Sequence, residues 1–135
     1  MAKFFSLTWA FEAFEDSPTF FTKRMFGGLA AYVEGKMVLV IFENPDDREY
    51  RGKVYNFDLW NGILLPLERK VHATLINDFP ELINHPVLPK WLYLPMSNEY
   101  FETTIETISS LIAKNDPRFG IYPQTKTSKK LKKKK

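Results

Sequence analysis

Six consecutive apolar residues, Met37-Val38-Leu39-Val40-Ile41-Phe42, constrain this 135-residue chain more than any other feature. The run is rich in β-branched side chains, so it predicts a strand covered on both faces, inside a sheet with neighbours on each side. A second apolar run ends just before Glu34-Gly35. Gly35 can supply the positive φ of a tight turn, so the two runs together predict a β-hairpin.

The remaining chain reads as alternating strand and helix signals. Phe4, Leu7, Phe11 and Phe14 recur at helical spacing opposite Glu12, Glu15 and Asp16. They predict an amphipathic helix that ends near Asp16, ahead of Pro18. Residues 43–53 are polar and read as a surface loop, and the spacing of Asp46, Asp47 and Glu49 fits no calcium loop. Val54 to Trp60, Asn61-Gly62, then Ile63 to Leu67 predicts a second hairpin, because Asn-Gly suits a type I′ turn. Pro66 requires its second strand to lie at an edge or to end there.

Val71, Leu75 and Phe79 predict a helix over about Glu68 to Asp78. Leu88 to Met96 predicts a strand with Trp91 and Tyr93 on one face and Leu92 and Leu94 on the other. Phe101, Ile105, Ile108 and Ile112 mark a last helix, preceded by the capping candidates Ser97 and Asn98. The predicted order is α-β-β-β-β-α-β-α. It describes a two-layer α+β fold with a largely antiparallel five-stranded sheet and helices packed on a face. The first and last helices are expected on the same face.

The run Arg24-Met25-Phe26-Gly27-Gly28, followed by a short strand and Gly35-Lys36-Met37, resembles the opening of the TfoX/Sxy N-terminal domain. His85-Pro86-Val87-Leu88-Pro89-Lys90-Trp91-Leu92-Tyr93-Leu94-Pro95 and Phe101-Glu102 through Asp116-Pro117-Arg118-Phe119-Gly120 resemble the later half of small single-domain TfoX-like proteins. The likeness covers roughly residues 4 to 123. It implies a YjbR-like architecture, a structural role for Arg24, Met25, Phe26, Gly27, Gly28 and Gly35, and a bacterial regulatory setting of the competence-control type. It carries no catalytic residues with it.

Charge divides the chain into residues 1–123, the expected TfoX-N-like domain, and residues 124–135, an expected disordered lysine-rich tail. Seven of the nineteen Lys and Arg lie in the last ten residues, which leaves twelve against sixteen Asp and Glu in residues 1–125, a balance of −4. Contact with nucleic acid is therefore expected through Lys126, Lys129, Lys130, Lys132, Lys133, Lys134 and Lys135. That contact would be nonspecific and made to phosphates, since no aromatic residue is interleaved for stacking. The alternative reading is a protein-interaction or chaperone-like adaptor module, or self-association, with no nucleic-acid role.

The chemistry-bearing residue types point away from an enzyme. There is no Cys, which removes disulfides, thiolate zinc sites and Cys nucleophiles. His72 and His85 have no zinc spacing and read as a solvent-exposed helix residue and a loop residue. Asp58 reads as an exposed or satisfied polar group rather than an acid catalyst. Gly27-Gly28 precede a strand instead of joining a strand to a helix, and no Gly-Lys-Ser/Thr follows, so no phosphate loop is expected. No cofactor, no metal and no membrane span are expected. Glu12, Glu15 and Asp16 interrupt the N-terminal apolar segment and argue against a signal peptide, so the expected location is cytoplasmic.

Overall fold

A computed structural model describes residues 5–25 and 27–122. Its strands are β1 (Phe21–Met25), β2 (Gly28–Val33), β3 (Lys36–Asn44), β4 (Glu49–Tyr50), β5 (Lys53–Val54), β6 (Trp60–Leu65), β7 (Ile83–Asn84) and β8 (Leu92–Pro95). Two α-helices, α1 (His72–Asp78) and α2 (Phe101–Ala113), accompany 3₁₀ helices at Ser6–Phe11 and Arg69–Val71. Six strands form one antiparallel sheet in the order β1-β2-β3-β6-β8-β7. The fold is α+β.

The apolar run lies inside β3, paired with β2 through Leu29↔Ile41 and with β6 through Val40↔Leu64. Leu39, Val40, Ile41 and Phe42 are all fully buried, as the run predicts. The β2–β3 turn forms at Glu34-Gly35 with φ of 52° and 80°, the two positive values that a type I′ turn needs. Ala31 and Tyr32 are adjacent but face Leu39 and Met37, so Val38 is the extra residue of a β-bulge. The bulge breaks alternation. Val38, Leu39 and Ile41 face one core cluster, and Met37, Val40 and Phe42 face the other.

The first cluster holds the helices. Leu7, Phe11 and Phe14 pack there with Ile105, Ile108 and Ile112 of α2. Ser109 Oγ donates to Ala10 O at 2.6 Å, and the Trp9 and Phe101 rings meet edge-on at 6.1 Å. The first and last helical segments thus share one face of the sheet. The second cluster (Tyr32, Met37, Phe42, Leu64 and Tyr93 among it) has no helix over it among the described residues. Phe57, Trp60, Leu88, Trp91 and Ile121 pack against it instead.

Several local expectations differ from the structure: residues 55–59 form no strand, the strand expected over Leu88 to Met96 is β8 alone, and the helix expected from Glu68 is α-helical only from His72. The N-terminal segment is a 3₁₀ helix followed by turns, not an α-helix to Asp16. Its bonds mostly span three residues, as in Glu12 N–H to Trp9 O and Phe14 N–H to Phe11 O. A three-residue repeat stacks side chains at i and i+3, and here both Phe11 and Phe14 are buried and contact Phe20. The Glu43 carboxylate, from β3, accepts from Leu7 N–H and Ser6 Oγ and satisfies one of the open N-terminal backbone donors.

The Asn61-Gly62 hairpin does not form. Both residues lie within β6, which is buried between β3 and β8 and ends before Pro66. Gly62 is needed for close approach instead of a turn: a Cβ there would lie 2.2 Å from Leu94 O. The second type I′ turn is at Arg51-Gly52, with φ of 52° and 80°, and it joins β4 to β5 inside the expected loop.

The sheet also gains two edge strands, β1 and β7, that were not expected. Phe21–Met25 is exposed along nearly its whole length, so it carries little of the alternation that marks a half-buried strand. Finally, α2 has no side-chain cap at its N-cap, Tyr100; Asn98 Oδ1 accepts from Tyr100 N–H one step earlier.

Candidate functional site

The titratable groups best suited to catalysis are occupied by structural bonds. His85 lies in the loop after β7, as expected, but is fully buried there. Its Nδ1 accepts from the Val87 and Leu88 N–H groups at 3.0 and 3.2 Å, and its Nε2–H donates to Leu59 O at 2.7 Å. Burial holds its pKa below the ordinary histidine value, against the smaller opposing effect of the Leu59 carbonyl. Its ring lies against Trp60 and edge-on to Tyr93. The Tyr93 hydroxyl donates to Asp58 O and accepts from Asn61 N–H, and burial raises its pKa.

Nor is His72 simply exposed. Its Nε2–H donates to Lys90 O at 2.7 Å, and Asn84 Nδ2 donates to its Nδ1 at 3.3 Å. Asp58 accepts from Arg48 Nε at 2.8 Å, and that bond lowers its pKa. It is a satisfied polar group. Arg118 joins Asp116 to Asp78 at 2.9 and 2.8 Å, and its guanidinium lowers the Asp116 pKa. Among the described residues, no three His, Asp or Glu side chains are arranged to hold a metal ion.

Two surface concavities differ in charge. The first, of about 580 Å³, runs between the N-terminal 3₁₀ helix and α2 and is lined by Trp9, Glu12, Glu102, Glu106 and Ser109. It is acidic and repels phosphate. The second, of about 610 Å³, is lined by Lys36, Glu68, Lys90, Trp91, Ile121 and Tyr122. Glu68 is paired with Lys70 at 3.5 Å, so Lys36 and Lys90 set the sign of this cleft.

The second cleft is built by the last described residues. Met37 N–H donates to Ile121 O at 2.8 Å and Ile121 N–H returns the bond to Met37 O at 3.1 Å. This bridge fixes Ile121 against β3. Tyr122 then lies over Gly35, with Lys36 Nζ 5.7 Å from the ring centre. Tyr122 stays 64% exposed.

Of the expected site residues, Lys126, Lys129, Lys130, Lys132, Lys133, Lys134 and Lys135 lie outside the described residues, as does Phe26 of the Arg24–Gly28 run. Arg24 and Met25 end β1, and Gly27 occupies the β1–β2 turn with φ of 82°. Gly28 has no space for a side chain, since a Cβ would meet Ile41 O at 2.5 Å. Sequence reading did not single out Lys36, Lys90, Trp91 and Tyr122 as a group. Their one local signal is the Lys90-Trp91 pair; only the sheet brings Lys36 to it. No helix among the described residues is long and apolar enough to cross a membrane. No protein-family model, curated protein or solved structure matches the chain.

Proposed function

We propose that this chain is a non-catalytic, TfoX-like regulatory domain that contacts nucleic acid through its lysine-rich C-terminal run. The observation that carries this reading is the place of Ile121 and Tyr122, the last described residues before the run. The Met37–Ile121 bridge holds the start of the last segment beside Lys36 and Lys90, at the cationic cleft. The folded body is otherwise acidic on balance and disfavours a phosphate backbone elsewhere. The structural use of both histidines and of Asp58, Asp116 and Arg118 supports the non-catalytic part. The Arg24–Gly28 resemblance supplies the regulatory, competence-type setting.

Binding of this kind is weak, indifferent to sequence and steeply dependent on salt. Each duplex phosphate neutralised contributes about −0.9 to the slope of log K against log salt, so three to seven lysine contacts give a slope of roughly −3 to −6. The test is a titration of labelled duplex DNA at several salt concentrations, with the full chain and with a version ending at Pro123. The expected result is loss of binding, and of the salt slope, on truncation. Equal binding by the two versions refutes the assignment to the tail and moves it to the body, where Lys36 and Lys90 at the cleft, and Lys23 and Arg24 on β1, are the next candidates. No binding by either favours the second reading, a protein-interaction module. The acidic groove beside Trp9 is the observation that supports it, and a basic peptide is the partner its charge suits.

A further inference from the structure

We infer that the cleft lined by Trp91, Tyr122, Lys36 and Lys90 is a stacking site that makes this chain prefer single-stranded over duplex nucleic acid. The inference rests on the nucleic-acid reading above and deepens it by naming the form of the ligand. Surfaces that bind single strands without reading sequence combine cationic groups for the backbone with aromatic faces for unpaired bases. The lysine run by itself has no aromatic residue, but the fold adds two at its root. Tyr122 is only four residues before Lys126 and is 64% exposed. Trp91 is partly exposed on the same cleft, its other contacts being with the cluster under the sheet.

The bases of a duplex are stacked on each other and cannot reach these rings; those of a single strand can. Lys36 and Lys90 stand at the same cleft with charge of the sign that phosphates need, and among the described residues lining it the one acid, Glu68, is partnered by Lys70. The acidic groove on the helical face has an aromatic residue too, Trp9, but three glutamates surround it. Charge therefore selects one concavity for a polynucleotide, and Tyr122, the last described residue before the lysine run, lines it.

The test uses the full chain and three labelled probes of about 16 nucleotides, within the usual span of single-strand sites: oligo(dT), oligo(U) and a DNA duplex of equal length. Fluorescence anisotropy is expected to show oligo(dT) bound about fivefold or more tightly than duplex, from the lower end of base–aromatic stacking. Tyr122→Ala, at an exposed position, is expected to lower that preference, with Trp91 left to stack, and to keep the salt slope of duplex binding, which the lysine run sets; an unchanged preference in this variant overturns the role of Tyr122. A second readout needs no variant. Photo-cross-linking of a 5-iodouracil-substituted single strand to the wild-type chain is expected to label the peptides that carry Trp91 or Tyr122.

Equal affinity for single strand and duplex overturns the stacking site, as does cross-linking confined to other peptides. Either result leaves the lysine-run reading standing if truncation at Pro123 still abolishes duplex binding. No binding of any probe overturns both. Similar binding of oligo(U) and oligo(dT) is expected, since each offers a base face and a phosphate. Strong preference for one of them would require contacts to the sugar or base edge that this cleft does not supply, and would refute simple stacking.

Discussion

Acidification between about pH 7.5 and about pH 5.5 should destabilise this protein through one side chain, His85. The native ring is fully buried and in the Nε2–H form, because Leu59 O can only accept and the Val87 and Leu88 N–H groups can only donate. A second proton must go to Nδ1. There it would face two N–H donors at 3.0 and 3.2 Å, with the new charge held among Trp60 and Tyr93 out of water.

The native pKa lies below the unfolded value of 6.5, chiefly from burial. As pH falls below 6.5 the unfolded chain takes up a proton that the native chain refuses. More protons are then bound in the unfolded state, so stability is full above that value and declines below it. The decline reaches at most about 1.4 kcal/mol per pH unit while the native ring stays neutral. Asp58 and Asp116 have native pKa values lowered from 3.8, so their contribution is lost only in more acidic solution. The assay is urea denaturation of wild type and of His85→Gln at both pH values. Gln can replace one acceptor and one donor but does not titrate here. The variant is expected to be less stable at neutral pH and to show the flatter pH dependence. Identical pH slopes for the two proteins would refute the reasoning.

Other substitutions probe the sheet. Gly62→Ala should cost about 2 kcal/mol or more in urea denaturation, because its Cβ would meet the backbone at Leu94 O and Pro95 Cα, which cannot rotate away. Tyr93→Phe should cost about 1–3 kcal/mol, since it strands the Asp58 carbonyl and the Asn61 N–H that share the hydroxyl; thermal melting within error of wild type would show that water takes over both groups.

The expectation that survived best depended on burial patterns that one segment carries whole. Residues 37–42 are apolar at every position and rich in β-branched side chains, and a strand with cover on both faces buries them all. Phe101, Ile105, Ile108 and Ile112 share one helical stripe, so α2 could be read with its buried side. Glu34-Gly35 formed its turn because the two strands it joins are partners. The same chemistry at Asn61-Gly62 gave no turn. Residues 60–65 gain more by lying flat between β3 and β8 than a local turn returns, and the gap at Gly62 is set by Leu94 and Pro95, more than thirty residues away.

His85 shows the same limit at the level of a single group. A histidine before a proline reads as a loop residue; its burial comes from Leu59, Trp60 and Tyr93, which other elements bring to it. Local sequence thus determined which segments are strands and helices wherever periodicity and turn chemistry agreed with burial. Long-range contacts decided the edge strands, the fate of the Asn-Gly pair, the polarity around His85 and the meeting of Lys36, Lys90, Trp91 and Tyr122. The physical reason is that the free energy of a buried group depends on what surrounds it, and only the folded chain sets those surroundings.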